Sequence, residues 1–143
     1  MPKQRVTAEL RRVVFARARG CCEYCQSQAR FGTQSFAAEH IIPRFAGGKT
    51  TEDNLALSCL GCNSHKHTKT RALDPETGHE VSLFHPRRQI WLDHFAWSDD
   101  FTQVVGQTPV GRASVKALRL NRPELINLRR VLHFVGEHPL QTS

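Results

Sequence analysis

An acidic residue and a histidine stand side by side at Glu39 and His40, in a stretch that alternates like a short strand. Adjacent side chains on a strand point to opposite faces. The pair can therefore flank a phosphate, with the carboxylate holding a metal ion and the imidazole facing a water. An ordinary histidine pKa of about 6.5 suits His40 to accept a proton at neutral pH.

Two amides and a second histidine complete this set of polar residues. Asn63 and His67 are four residues apart on a predicted helix and would share one face, where an amide oxygen and an imidazole could converge on one cation. Asn54 stands at the entrance of a predicted strand, where its side chain could bond the backbone of the preceding loop. We expect that bonding to hold His40 in orientation.

Four cysteines form two Cys-x2-Cys turns, at Cys22 and Cys25 and at Cys59 and Cys62. Four thiolates from two such turns suit a closed, tetrahedral zinc site of the structural kind. Two disulfides are the alternative, which a reducing compartment disfavours. The remaining thiol, Cys21, has the wrong spacing to Cys25 and is interpreted as a spare buried residue.

The elements that must position these residues form a predicted ββα unit. A helix from Thr7 to Arg19, capped by Thr7 and ended by Gly20, precedes it. The unit itself consists of a strand over 36–42, a loop over 43–53 with Gly47-Gly48, a strand over 55–58 and a helix over 60–69.

The remainder of the chain predicts short strands followed by two helices. The strands are expected at 81–84, 90–97 and 101–106, and a helix from Pro109 to about Leu120 is capped by Thr108. A further helix opens at Pro123. It is predicted to bury Leu125, Leu128, Leu132 and Val135, with Arg129 and Arg130 on the opposite side, and the tail from Glu137 is predicted to fray. The fold class is therefore α+β, in one domain over 1–143, with a core at about 20–70 and an extension at about 71–137.

The formal net charge is +7, and a basic surface attracts polyanions through phosphate contacts. No apolar run approaches the roughly 18 residues that a membrane span needs. The basic N-terminus lacks the apolar centre of a signal peptide. The sequence thus predicts a cytoplasmic protein that makes no membrane contact.

The pattern EHIIPRFAGG…DNLALSCLGCNSHK resembles the HNH nuclease family, within the ββα-metal (His-Me finger) superfamily. The close similarity covers residues 22–69. One departure is the acid, which is more often Asp in the family. Glu39 adds a methylene, which would shift the metal ion or leave a water between the ion and the carboxylate.

The resemblance implies roles for individual residues. It implies that His40 is the general base, that Asn54 orients it, and that Glu39 and Asn63 hold a divalent ion, Mg²⁺ or Mn²⁺. A second helical histidine is a ligand in some members, which makes His67 a further candidate. Zinc at the four cysteines would be structural.

The predicted function is therefore metal-dependent hydrolysis of phosphodiester bonds in DNA, expected to be double-stranded. The chain is also a candidate homodimer, because a double-strand cut needs two sites. Two alternatives stay open: a zinc-stabilised nucleic-acid-binding module that does not cut, and a zinc-bound protein-interaction domain.

Basic residues are candidates for contacts to the nucleic-acid backbone. The predicted contacts near the site are Arg44, Lys66 and Lys69. In the extension they are Arg112 and Lys116, within a wider basic set that also contains Arg119, Arg122, Arg129 and Arg130.

Overall fold

The computed structural model describes residues 5–140 and has an α+β architecture. None of the helices in this range has the length and hydropathy of a membrane-spanning segment. The helices and strands are α1 (Ala8–Arg17), β1 (Ala37–His40), β2 (Leu55–Ser58), α2 (Leu60–Lys66), β3 (Arg71–Leu73), β4 (Glu80–Ser82), α3 (Trp91–His94), β5 (Phe95–Trp97), β6 (Val104–Gly106), α4 (Pro109–Ala117) and α5 (Pro123–Phe134).

The predicted ββα unit is confirmed as β1, β2 and α2. The two strands are antiparallel, with Glu39 opposite Ala56 and His40 opposite Leu55. Helix α2 begins after Cys59, whose sulfur accepts the N–H of Cys62 at 3.5 Å. The helix ends at Lys66, three residues earlier than predicted.

The two strands β1 and β2 lie between two clusters of buried side chains. The larger cluster contains the cysteines of both turns together with Tyr24, Ile41 and Ala56, and it continues into the extension through Phe84 and Phe95. The smaller cluster packs Val14 of α1 against Leu55 and Leu57. Successive residues of the strands therefore face different surroundings, as the two-residue repeat of a strand requires.

Local capping explains where the helices begin. The hydroxyl of Thr7 accepts the N–H of Leu10 at 3.1 Å, and that of Thr108 accepts the N–H of Gly111 at 3.0 Å. Both predicted caps are thus confirmed, as is Pro123 at the first turn of α5. Helix α1 ends at Arg17 rather than Arg19.

The short strands of the extension differ from the prediction in three places. The predicted strand over 90–97 begins as the helical turn α3 and becomes extended only at β5. This turn places the Trp91 ring against that of Phe95, with centroids 5.0 Å apart and planes tilted by 34°. The predicted strand over 81–84 pairs only as β4, with the unpredicted strand β3. Strands β5 and β6 pair antiparallel, and the predicted strand over 101–106 begins only at Val104.

The C-terminal helix and tail also differ from the prediction. Arg129 is 4% exposed, whereas Val135 is 59% exposed, so the buried face of α5 includes the arginine and excludes the valine. The tail does not fray within the described residues. The backbone oxygen of Glu137 accepts the side-chain N–H of Gln28 at 2.6 Å, and His138 is buried.

The extension packs on the turn that carries the first pair of cysteines. The indole N–H of Trp91 donates to the backbone oxygen of Tyr24 at 2.9 Å. Arg87 pairs with Glu23, whose other carboxylate oxygen accepts the N–H of Leu57 at 2.8 Å. These contacts fix the Cys22–Cys25 turn between β2 and the extension.

Candidate active site and metal centre

The sulfur atoms of Cys22, Cys25, Cys59 and Cys62 lie within 4.8 Å of one another, and all four residues are buried. Sulfur–zinc bonds of about 2.3 Å in a tetrahedron place neighbouring sulfurs about 3.8 Å apart. The Cys25 and Cys59 sulfurs are 3.7 Å apart. The donor set and its spacing therefore fit a structural zinc ion.

The spare thiol, Cys21, stays outside this cluster. It is 5% exposed, and its sulfur donates to the backbone oxygen of Arg19 at 3.7 Å. The predicted assignment of the other four cysteines to one site agrees with this arrangement.

Arg122 of the extension lies directly against the sulfur cluster. Its guanidinium N–H groups donate to the sulfurs of Cys59 and Cys62 at 3.6–3.7 Å and to the backbone oxygen of Leu118 at 3.0 Å. A zinc ion with four thiolates carries two net negative charges, which this buried guanidinium partly offsets. A Cβ at Gly61 would lie 2.7 Å from the Arg122 Nη2, so the glycine allows this approach.

Glu39 is buried beside the cysteine cluster, and its Oε1 has no hydrogen-bond partner within the described part of the chain. Burial raises the pKa of Glu39 to about 7, an effect that the Lys66 ammonium opposes. A buried, unpaired carboxylate oxygen is costly unless a cation or water satisfies it. This oxygen therefore fits the role of a ligand to a divalent ion.

His40 stands at the end of β1 with its ring held by a residue that the sequence did not point to. The Nε2 atom of His40 lies 2.8 Å from the Thr50 hydroxyl. If Nε2 carries the hydrogen and donates to Thr50, Nδ1 is the free acceptor. Burial lowers the pKa of His40, and Arg44 and Lys66 lower it further, so the imidazole is neutral at pH 7.

Asn54 binds the loop between β1 and β2 rather than the His40 ring. Its Oδ1 accepts the N–H of Ile42 at 2.9 Å, and its Nδ2 donates to the backbone oxygens of Ile42 and Lys49 at 3.0 and 2.9 Å. A Cβ at Gly48 would lie 1.8 Å from the Ile42 oxygen, so only glycine fits this closed loop. Asn54 thereby fixes the loop that delivers Thr50 to His40.

The two predicted helical ligands do not share a helix. Asn63 lies in α2, but His67 follows the end of the helix with a φ of 49°. The spacing of four residues that placed both on one face is therefore lost. Asn63 keeps its place in α2 next to the cysteine turn, whereas His67 lies beyond the end of the helix.

A comparison with protein-family models matches residues 22–69 to the HNH endonuclease family. We refer to this matched segment as the HNH domain. The match spans the four cysteines and the polar set from Glu39 to Asn63, and it leaves the extension outside. Comparisons with curated proteins and with solved structures give no match.

The basic residues of the HNH domain that were predicted to contact nucleic acid differ in solvent exposure. Arg44 and Lys69 are exposed. Lys66 is 1% exposed, and its ammonium donates to the backbone oxygen of Ile41 at 2.8 Å. The prediction that Lys66 contacts a phosphate is corrected on that ground, since the same lysine instead lowers the pKa of His40 and opposes the raised pKa of Glu39.

In the extension, much of the predicted basic surface turns inward. Arg112 forms two hydrogen bonds of 2.9 Å with the buried carboxylate of Asp74 and lies 3.1 Å from Glu76. Arg122 and Arg129 are buried. The Arg112 contact to DNA is therefore corrected to a structural ion pair, while Lys116 remains exposed.

Sequence reasoning missed Thr50, Tyr24 and the structural arginines. Thr50 lies ten residues from His40, and only closure of the Gly47-Gly48 loop brings the two together. Tyr24 lies between Cys22 and Cys25 in the sequence. Its buried hydroxyl lowers the pKa of the Glu39 carboxyl group, against the larger opposite effect of burial. The position of Tyr24 between two candidate zinc ligands was the one feature of the sequence that could have pointed to it.

Proposed function

We propose that this chain is a metal-dependent endonuclease that hydrolyses phosphodiester bonds in DNA. The observation that carries the proposal is the pair at the end of β1. A neutral His40 is held through one ring nitrogen by Thr50, and the neighbouring Glu39 has a buried oxygen without a partner. The pair lies inside an HNH domain, and HNH nucleases generally act on DNA.

In the proposed reaction, the Nδ1 atom of His40 takes a proton from the attacking water. Thr50 holds the ring so that this nitrogen faces the water, and Asn54 holds the loop that carries Thr50. Glu39 and Asn63 would hold the divalent ion, which when bound supplies Lewis acidity at the phosphate and charge stabilisation at the leaving oxygen. Oxygen donors of this kind favour Mg²⁺, with Mn²⁺ as the second choice.

The test is cleavage of supercoiled plasmid by the zinc-loaded protein with Mg²⁺, Mn²⁺ or no added divalent ion. We expect His40→Ala to lower the rate by about 10²- to 10⁴-fold, the usual contribution of a general base. His79→Ala is the matched control, because His79 is an exposed histidine in the β3–β4 turn and uses only its backbone in hydrogen bonds.

Equal cleavage by wild type and His40→Ala would contradict the proposal. Salt-sensitive DNA binding by both proteins without cleavage by either would favour the non-cutting nucleic-acid-binding module. Linear product without a nicked intermediate would indicate two sites acting together, as a homodimer would supply.

Thr50 offers a finer test of the same geometry. Thr50→Ser keeps the hydroxyl, whereas Thr50→Val removes it with little change in volume. Since one hydrogen bond contributes about 1 kcal/mol, we expect kcat to fall about fivefold in Thr50→Val and to stay near wild type in Thr50→Ser. A uniform loss in both variants would indicate a role in packing instead.

A further inference from the structure

A cavity of about 330 Å³ lies between the HNH domain and the β3–β4 hairpin, next to the end of β1. Its volume is at the small end of the range for ligand pockets, about 300–1,000 Å³. Ile42, Leu83 and Phe84 contribute apolar lining. The proposed chemistry at Glu39 and His40 does not use this space.

The charged residues that line the cavity are all basic. Lys69, Arg71 and Arg88 are exposed at its rim, and Lys66 is buried at its inner side. Arg71 lies 3.4 Å from Glu80, and both side chains are more than half exposed. An exposed pair of this kind contributes little, so a phosphate could replace Glu80 as the partner of Arg71.

Polar groups at the rim are arranged as donors. The Nδ1 atom of His85 accepts the N–H of Arg87 at 3.2 Å, and burial lowers the pKa of His85, so its Nε2 carries the hydrogen. The side-chain oxygen of Gln89 accepts the N–H of His85 at 2.8 Å, which leaves the amide nitrogen as the group Gln89 can offer. The edges of nucleobases carry matching acceptors.

The cavity adjoins the chain segment that carries the candidate active site. Ile41 and Ile42, which line it, directly follow His40. Lys66 and His85 both line the cavity, and the Lys66 ammonium donates to the backbone oxygen of Ile41, the residue after His40, at 2.8 Å. A ligand in the cavity would therefore lie beside the phosphate that His40 serves.

We propose that this cavity binds one unpaired nucleotide of the DNA substrate, with the base against Ile42, Leu83 and Phe84 and the phosphate at Lys69, Arg71 and Arg88. The substrate class rests on the proposed nuclease function. A paired base stays in its stack, so entry requires a single-stranded, bulged or flipped nucleotide. DNA with unpaired nucleotides is then preferred to continuous duplex.

The test measures binding without cleavage, using zinc-loaded protein with no added Mg²⁺ or Mn²⁺. Two DNA probes carry the fluorescent base 2-aminopurine, one in a single-nucleotide bulge and the other in a fully paired duplex of the same sequence. Contacts to one base change affinity by about tenfold or more. We expect wild type to bind the bulged probe about tenfold more tightly and to change its 2-aminopurine fluorescence.

Substitutions locate the effect in the cavity. Ser82 is an exposed lining residue, so Ser82→Trp fills the space without disturbing the core. It should bind both probes equally, whereas Ser35→Trp, an exposed serine outside the cavity, should behave as wild type. Arg88→Gln should weaken binding of the bulged probe more than Arg130→Gln, which removes the same charge from the exposed side of α5.

Three results would overturn the proposal: equal affinity of wild type for both probes, discrimination that survives in Ser82→Trp, or no DNA binding at all. The nuclease proposal is judged separately. Discrimination without His40-dependent cleavage would remove the nuclease and keep the nucleotide site. His40-dependent cleavage without discrimination would remove the nucleotide site alone.

Discussion

Sulfur atoms hold the HNH domain together, whereas guanidinium groups hold the C-terminal extension against it. In the domain, four buried cysteines converge from two turns. In the extension, Arg122 donates to the sulfurs of Cys59 and Cys62, and Arg129 donates to the backbone oxygen of Cys25 at 3.3 Å. Both regions are therefore anchored at the same two cysteine turns.

The difference shows that positive charge serves two purposes in this chain. Arg44 and Lys69 stay exposed near the end of β1, where a polyanion can reach them. Arg122 and Arg129 are buried, where each uses several N–H groups on acceptors of the protein itself. The net charge of +7 therefore overstates the basic surface that DNA can contact.

The largest expected effect comes from removing the sulfur anchor. Binding of structural zinc is worth on the order of 10 kcal/mol in model peptides, which is comparable to the whole stability of a small domain. We expect Cys62→Ser to lose zinc and cooperative unfolding, measured as metal content and by circular dichroism during heating.

Cys21→Ser is the matched control, because Cys21 is buried but lies outside the sulfur cluster. It should retain one zinc per chain. A Cys62→Ser protein with full zinc content and unchanged melting would show that Cys62 is not needed to hold the zinc ion.

The second largest effect is expected from removing the guanidinium group of Arg129. Arg129 donates to the backbone oxygens of Thr102, Cys25 and Leu120, and also to the side-chain oxygen of Asn121. Because removing a buried donor leaves its acceptors unsatisfied at about 1–3 kcal/mol each, we expect Arg129→Gln to lower the free energy of unfolding by more than about 3 kcal/mol in urea titrations.

Arg130→Gln removes the same charge from an exposed neighbour and should change that free energy by less than about 0.5 kcal/mol. Similar effects for the two variants would mean that burial of Arg129 does not distinguish it from a surface residue. Buried and exposed arginines would then not differ in their contribution to stability.

The two regions also differ in how far the sequence predicts them. In the HNH domain, the Cys-x2-Cys turns and the strand-like stretch around Glu39 and His40 are local patterns, so the four-cysteine cluster and the ββα unit could be predicted. In the extension, the role of Arg129 depends on Thr102 and Cys25, which are distant in sequence. An arginine in a helix is normally predicted to be exposed. Arg129 is buried because of tertiary contacts that the local sequence does not show.

The third prediction concerns zinc retention. Residues that hydrogen-bond to metal ligands typically change metal affinity by about 10- to 100-fold. We expect Arg122→Gln to speed zinc release to a chromogenic chelator by about that factor. Arg122→Lys, which keeps the charge but not the planar set of donors, should fall between.

Arg119→Gln is the control for charge alone, since Arg119 is an exposed residue near the same helix ends. Equal release rates in Arg122→Gln and Arg119→Gln would mean that the hydrogen bonds from Arg122 to the sulfurs do not slow zinc release. The rate is measured on folded protein, so unfolding variants are recognised beforehand by circular dichroism.

The smallest effect is expected at the tail of the extension, where His138 packs edge-on against Trp97 and its Nε2 lies 2.9 Å from the backbone oxygen of Phe101. Burial lowers the pKa of His138, so the folded state binds fewer protons than the unfolded state once the pH falls below about 6.5. Stability from this residue is therefore present at pH 7.5 and declines towards pH 5.5.

His138→Gln keeps a donor for Phe101 but cannot be protonated, so its unfolding free energy should fall less between pH 7.5 and pH 5.5 than that of wild type. His79→Ala, at an exposed position, should lose as much as wild type. The zinc site weakens at low pH in all three proteins and cancels from the comparison. Equal losses in His138→Gln and wild type would mean that protonation of His138 does not contribute to the pH dependence of stability.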